Sequence, residues 1–289
     1  MSKDSVVDVV PQHVIFAAHT LADQTARQAG VVMTELRTPQ QCATAAELLD
    51  CIWNDDSGGA APVEPGLLIA LGHAGNYVAG AYLDQQMVGV TAGFFGAPAA
   101  GRMHSHIAGV SASAKGKGVG TAMKLHQRAW CLQRGVTTLE WTFDPLILRN
   151  AGFNLNRLGA QLEEYLPNFY GTMRDATNSG HGSDRALIRW HLGRPVRPLG
   201  DALESASRIV RHLDIGEDGA PVRTSEDLRT VAEGMVGLRV PRDIEGMRAQ
   251  CSTVSVQWRQ ALRETMYPLM EAGWQIRGIL RDGTYVLQR

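Results

Sequence analysis

The residues best suited to chemistry lie at 103–124, Met-His104-Ser-His106-Ile-Ala-Gly-Val110-Ser-Ala-Ser-Ala-Lys115-Gly116-Lys117-Gly118-Val119-Gly120-Thr121-Ala-Met-Lys124. Glycines at alternate positions 116, 118 and 120 separate a strand-like pattern from a helix-like one. The first N–H groups of a helix have no partner within it, and the helix dipole adds partial positive charge there. Glycines let such a backbone take positive φ and come close to phosphate oxygens. The chain has 4 Lys against 24 Arg, and three of the four (Lys115, Lys117, Lys124) fall in this stretch, adding charge at the same mouth. The loop therefore predicts a diphosphate site. It is not a P-loop, because G-x-x-x-x-G-K-[ST] is absent, and G-x-G-x-x-G fails where Gly120 is followed by Thr121 and Ala122.

Titratable groups surround that loop in sequence. His104 and His106 alternate on the strand pattern 103–110, which predicts that they share a face with Val110. A histidine titrating near neutrality suits an amine base, and a satisfied structural histidine fits equally. The His-x-His pair has no accompanying ligand cluster, so no metal is expected. Glu140 shares a strand face with Thr138, Thr142 and Asp144. Asp144, just before Pro145, reads either as a base near an acceptor amine or as the cap of a following helix. Arg149 and Asn150 either bind the acceptor or face water.

The surrounding pattern is mixed α/β. Residues 11–29 read as an amphipathic helix and 31–37 as a strand. Thr38-Pro39-Gln40-Gln41 opens a helix to about Trp53 with a capping signature. Residues 67–73 fit helix or strand, and 76–95 read as a hairpin turning at 84–86. A strand at 102–110, a helix at 119–134, a strand at 136–143 and a helix at 146–158 follow, then strands near 161–166 and 185–192. Beyond a linker at 194–198 come a hairpin around 216–219, a strand near 235–240, a long helix near 244–272 and a terminal hairpin at Asp282-Gly283. The expected division is an N-terminal helical segment 1–30, a core 31–193 and a C-terminal α/β subdomain 194–289.

At 289 residues and net charge −1, the chain can bury a large core and does not present a globally basic surface. Neither nucleic acid nor membrane is the expected partner, and no apolar run approaches the ~18–20 residues that span a bilayer. Asp4, Asp8, Asp23, His13 and His19 make the first thirty residues unlike a signal peptide. Cys42, Cys51, Cys131 and Cys251 show no C-x-x-C spacing, consistent with reduced thiols and a cytoplasmic protein.

Lys115-Gly-Lys-Gly118-Val-Gly120 after a strand resembles the [QR]-x-x-G-x-[GA] hallmark of the GNAT superfamily of acetyl-CoA-dependent acyltransferases, with Lys for Arg. The strand 138–143 and the helix ending at Leu158-Gly159 follow the superfamily order across about 31–192. A narrower resemblance joins the chain to a bacterial branch of predicted GNAT acetyltransferases. It is carried by Trp141-Thr-Phe-Asp144-Pro145, Asn150-Ala-Gly-Phe-Asn154, Asn168-Phe-Tyr170-Gly171, Asp184-Arg185, Trp258-Arg259 and Tyr285-Val-Leu. The resemblance implies an α/β (α+β) fold with a mostly antiparallel sheet flanked by helices. It implies a coenzyme A site at Val110, Lys115, Gly116, Lys117, Gly118, Val119, Gly120 and Thr121, with the Val110 N–H on the thioester carbonyl. The superfamily's usual acid, a tyrosine of the helix after the fifth strand, is replaced by Leu155, between Asn154 and Asn156. Tyr165 and Tyr170 lie downstream; Tyr170 is the preferred acid, and a core tyrosine with one hydrogen bond fits each as well.

The expected activity is transfer of acetyl from acetyl-CoA, or another acyl from its CoA ester, to an amine of a small molecule by direct attack, with catalytic candidates Tyr170, His106, Asp144 and Glu140. Alternatives are a non-catalytic acyl-CoA-binding module, or a hydroxyl acceptor or longer acyl donor on the same fold. Gly93, Ala97, Ala99, Ala100 and Gly101 leave room for such bulk. The stripe Trp258, Met266, Tyr267 and Met270 reads as a core-facing helix side, and the C-terminal region covers an acceptor cleft or forms a homodimer face.

Overall fold

A computed structural model describes residues 10–54, 61–97, 101–171, 182–196, 209–224, 234–250 and 253–289. Residues 1–9, Ala99, Ala100, Pro198 and Cys251, named above, lie outside them. By internal packing the chain divides into two units, Met1–Trp141 with His191–Pro195 and Thr142–Trp190 with Val196–Arg289. No described helix is long and apolar enough to cross a membrane.

The first unit begins with α1 (Gln12–Gln28), β1 (Val32–Glu35) and α2 (Pro39–Trp53). The start of α2 follows from its sequence: Thr38 accepts from the Gln41 backbone, the Gln41 side chain accepts from the Thr38 backbone, and Pro39 takes the first turn. The ambiguous segment is helix α3 (Pro65–His73). Then come β2 (Tyr77–Leu83), β3 (Gln86–Phe95), β4 (Arg102–Val110), α4 (Val119–Gln133) and the start of β5 (Thr138–Phe143). Strands β1 to β4 pair antiparallel in chain order, and β5 joins β4 in parallel.

Two apolar clusters cover the two faces of this sheet. On one, Leu36, Val78, Val90 and Ala92 pack with Cys42, Ala45, Leu49 and Leu68 of α2 and α3, with Ile107 against them. On the other, Val31, Ala81 and Val88 pack with Val119, Ala122 and Met123 of α4, with Val110 against them. Full burial of one such leucine contributes about 1.5–3 kcal/mol.

The faces are not in simple alternation along β4. Ile107 opposes Ala92 and Ser105 opposes Gly93, so His106 is an extra residue in a β-bulge. Gly93 is required there, because a Cβ would meet the His104 carbonyl oxygen at 2.7 Å.

The second unit holds the end of β5, α5 (Leu148–Ala151), β6 (Gln161–Leu166), β7 (Arg185–His191), β8 (Ile209–Ile215), β9 (Pro221–Arg223), β10 (Met235–Arg239), α6 (Ile244–Ala249), α7 (Thr253–Glu271), β11 (Gln275–Ile279) and β12 (Thr284–Gln288). Strands β6 and β7 pair antiparallel. A second sheet of five strands runs β11-β12-β10-β8-β9. Fully buried Trp258, Leu262 and Met266 of α7 bear out the apolar stripe expected there, whereas Tyr267 is exposed.

Two helices differ from expectation. The segment expected as one helix at 146–158 is α5 followed by a π-helical turn at Gly152–Arg157, closed by Leu158 N–H donating to the Phe153 carbonyl at 3.0 Å. The Asn156 side chain donates to the Ile279 carbonyl at 2.6 Å and accepts from the Ile279 N–H at 3.2 Å, so it acts as a strand partner for β11. The helix expected at 244–272 is two helices, α6 ending at Ala249 and α7 starting at Thr253.

Candidate functional site

The loop between β4 and α4 has the conformation its glycines predict. Gly116 and Gly118 have φ of 78° and 85°. A Cβ at Gly116 would meet nothing within 4 Å and one at Gly118 only Ala29 at 3.6 Å, so backbone conformation rather than crowding calls for glycine. Gly118 is the N-cap of α4, and no side chain caps the helix. The first α4 amide bonded to the backbone is Ala122, to the Gly118 carbonyl at 3.0 Å. Among the described residues the N–H groups of Val119, Gly120 and Thr121 have no backbone acceptor, and Lys115 and Lys117 stand exposed beside them. This is a ready anion cradle, and its donors suit a pyrophosphate.

Val110 leads into the cradle. The Ser111 N–H donates to the Val88 carbonyl at 2.9 Å, so the alternation along β4 turns the Val110 N–H away from β3. It faces the other edge of β4, where registered pairing with β5 has ended at His104 opposite Glu140.

The histidines are placed otherwise than expected. Ser105 bonds Gln127 and Lys124 of α4, so the face of β4 behind it carries His104. The His104 and His106 rings lie 5.2 Å and 5.8 Å from Phe94 and 6.2 Å from each other. Past the bulge, Ile107 and Gly109 face α2, and Val110 faces α4. The expected common face for the histidines and Val110 is therefore corrected: the bulge exchanges sides between them. Burial lowers the pKa of His104 and His106, and for His104 the neighbouring His106 and Lys124 lower it further. For His104 the Glu140 carboxylate opposes that shift, and in both the net lowering favours the neutral imidazole.

Glu140 belongs to the same face. Its neighbour Trp141 turns toward α4, where the Lys124 ammonium lies 4.0 Å from the ring centroid. Glu140 thus projects to the His104 side, with Arg102 Nη1 at 3.6 Å. Among the described residues no group of three His, Cys, Asp or Glu could hold a metal.

Lys124 does not add charge at the loop mouth. It is buried, donating to Ser105 Oγ at 2.8 Å and Gln127 Oε1 at 3.4 Å, and burial lowers its pKa to about 7.

The remaining candidates belong to the second unit. Asp144 cannot serve as a base. Arg259 donates to both its oxygens (2.9 and 2.5 Å), Arg248 to Oδ2 at 2.8 Å, and the Leu146 N–H to Oδ1 at 2.9 Å. Against the cost of burial, these guanidinium groups hold its carboxyl well below the usual range. Nor does it cap α5, whose N-cap is Ile147. Tyr165 is buried and donates to Asp184 Oδ2 at 2.7 Å, and burial with that neighbouring carboxylate raises its pKa. Tyr170 is half exposed, its hydroxyl 3.0 Å from Thr142 Oγ1 and the Arg185 guanidinium 5.3 Å from its ring centroid. Arg149 is exposed and pairs with Glu245. Sequence reasoning missed Arg248, Arg263 and the role of Ser105, since only the fold brings their partners to them.

No protein-family model matches this sequence, and no curated protein matches it. Several solved structures are similar. The N-acetyltransferase from Staphylococcus aureus Mu50 aligns over 56% of this chain and 98% of its own, at 17% identity and a TM-score of 0.45. The acetyltransferase of GNAT family from Streptococcus pneumoniae gives 56%, 99%, 13% and 0.46. The ribosomal-protein-S18-alanine N-acetyltransferase from Escherichia coli gives 57%, 96%, 13% and 0.45. In the first unit four strands antiparallel in chain order, a parallel fifth, the strand–loop–helix at 102–133 and the flanking helices make a mixed α/β fold, and a second sheet lies toward the C-terminus.

Proposed function

We propose that the protein is an acyl-CoA-dependent acyltransferase, transferring acetyl from acetyl-CoA to an amine of a small molecule. The observation that carries this reading is the uncapped start of α4, with free amides at Val119, Gly120 and Thr121 beside Gly118 in the left-handed conformation. The diphosphate of coenzyme A suits those donors. The Val110 N–H, turned to the open edge of β4, suits the developing oxyanion of the thioester.

In the reaction the amine nitrogen attacks the thioester carbonyl carbon, the C–S bond breaks, and one proton leaves the nitrogen while another reaches the sulfur. His104 and His106, whose neutral forms burial favours, and Glu140 on the same face are the candidate acceptors for the first proton. Tyr170 is the candidate donor for the second by residue type, and Tyr170→Phe tests it. Most of the acceleration expected here comes from holding amine and thioester together.

Calorimetric titration with acetyl-CoA tests the reading, with release of free thiol across an amine panel as the activity readout. The absence of binding would end it. Binding without turnover would favour an acyl-CoA-binding module, a reading favoured by the buried Leu155 at the usual position of the acid.

A further inference from the structure

Among the described residues of the second unit, two buried arginines meet at a single carboxylate. Asp144 and Arg259 form a two-pronged pair with each side chain 4% exposed, which already neutralises both. Arg248, 5% exposed at its side chain, shares the same carboxylate through one Nη2 bond. Among the described residues its Nε and Nη1, both out of reach of solvent, have no hydrogen-bond partner. One Nε–H and two Nη1–H donors are thus unspent. The neighbouring carboxylates are engaged elsewhere: Glu245 by Arg149, Asp243 by the Gly246 N–H, and Asp184 by Arg263 and Tyr165.

An unbalanced buried cation is costly, and a folded chain keeps one where a ligand supplies the missing charge. Among the described residues, two guanidinium groups share the one carboxylate of Asp144, so one further negative charge would complete that local set. We propose that Arg248, set beside the Asp144–Arg259 pair, anchors a site in the second unit for the carboxylate of a small organic acid. The guanidinium fork matches a planar, monoanionic carboxylate, whereas inorganic phosphate is tetrahedral and near neutrality is a mixture of its mono- and dianion. The site is independent of the coenzyme A cradle and would exist whether or not the chain transfers acyl groups.

The test uses the full chain without any coenzyme A at pH 7. Thermal unfolding is followed while sodium acetate, propionate or benzoate is titrated against sodium chloride and sodium phosphate at matched ionic strength. Saturable, carboxylate-selective stabilisation of several degrees is expected at saturating ligand. Arg248→Lys should weaken the response about tenfold, Arg248→Met should abolish it, and Arg149→Met should leave it intact. Ligand-free Arg248→Met should melt no lower than the parent, since it removes the second guanidinium at that carboxylate and leaves the Asp144–Arg259 pair whole. A response shared equally by chloride, one stronger for phosphate, or one that survives Arg248→Met overturns the proposal. So does a lower melting point for Arg248→Met with no carboxylate response in the parent, which would make the arginine structural. Should Arg248→Met fail to fold, saturation-transfer NMR of acetate on the parent and on Arg248→Lys decides it: no transfer to acetate overturns the site.

Discussion

Asp144 and Arg259, 115 positions apart, meet through Nη1 on Oδ1 at 2.9 Å and Nη2 on Oδ2 at 2.5 Å, out of contact with water. The pair fixes the end of β5 to the middle of α7, and its energetics are testable without knowing any substrate.

Removing the anion strands two guanidinium groups in the interior. Asp144→Asn is expected to cost about 3–5 kcal/mol of unfolding free energy, read by urea denaturation. The folded pKa of Asp144 lies below the unfolded value of about 3.9, so its contribution is full above that value and is lost as pH falls through the carboxylate range. Stability of the parent should therefore fall below about pH 5 more steeply than that of Asp144→Asn, and parallel curves would refute the assignment.

Lys124 has the opposite economy. Its folded pKa of about 7 lies below the unfolded value of about 10.4, so between those values the unfolded chain binds the extra proton. Its contribution is least favourable below pH 7 and recovers as pH rises toward 10. Lys124→Met should therefore raise stability at pH 7 by on the order of a few kcal/mol and flatten the dependence between pH 7.5 and 9.5. A variant less stable than the parent throughout that range would show that the ammonium contacts with Ser105 and Trp141 outweigh its burial.

The two histidines of β4 should report on each other. Proton NMR titration should place the His104 and His106 midpoints below that of a free imidazole, about 6.5. His106→Gln should move the His104 midpoint upward, because a neighbouring positive charge disappears. An unmoved midpoint would mean that the 6.2 Å between the rings carries no coupling.

At the cradle, Gly118→Ala forces a side chain into φ of +85° and should cost about 1–2 kcal/mol of stability while weakening acetyl-CoA binding. Gly118→Glu adds a negative charge beside the free amides and should abolish that binding in calorimetry. Undiminished affinity in Gly118→Glu would remove the loop from the coenzyme site.

Much of the first unit was legible because its signals are local. Thr38, Pro39 and Gln41 write the start of α2 within four residues, and Gly116 and Gly118 write a backbone turn that few other residues tolerate. The faces of β4 were not legible, because the bulge at His106 depends on Gly93, which lies on another strand. Lys124 reads as a surface charge next to Lys115 and Lys117, and only the packing of α4 against Ser105 and Trp141 shows it buried. Asp144 carries no trace in sequence of the arginines that consume it, which follow more than a hundred positions later.

Those distant arginines also decide where the polypeptide can be divided. Arg248 and Arg259 bond Asp144, Arg263 bonds Asp184, and the Tyr285 hydroxyl donates to the Pro145 carbonyl. A chain cut at residue 194 would keep both aspartates and lose every one of these companions. Truncation there should therefore leave two buried carboxylates without their guanidinium partners, and a fragment ending at 194 is expected to be less stable than the full chain.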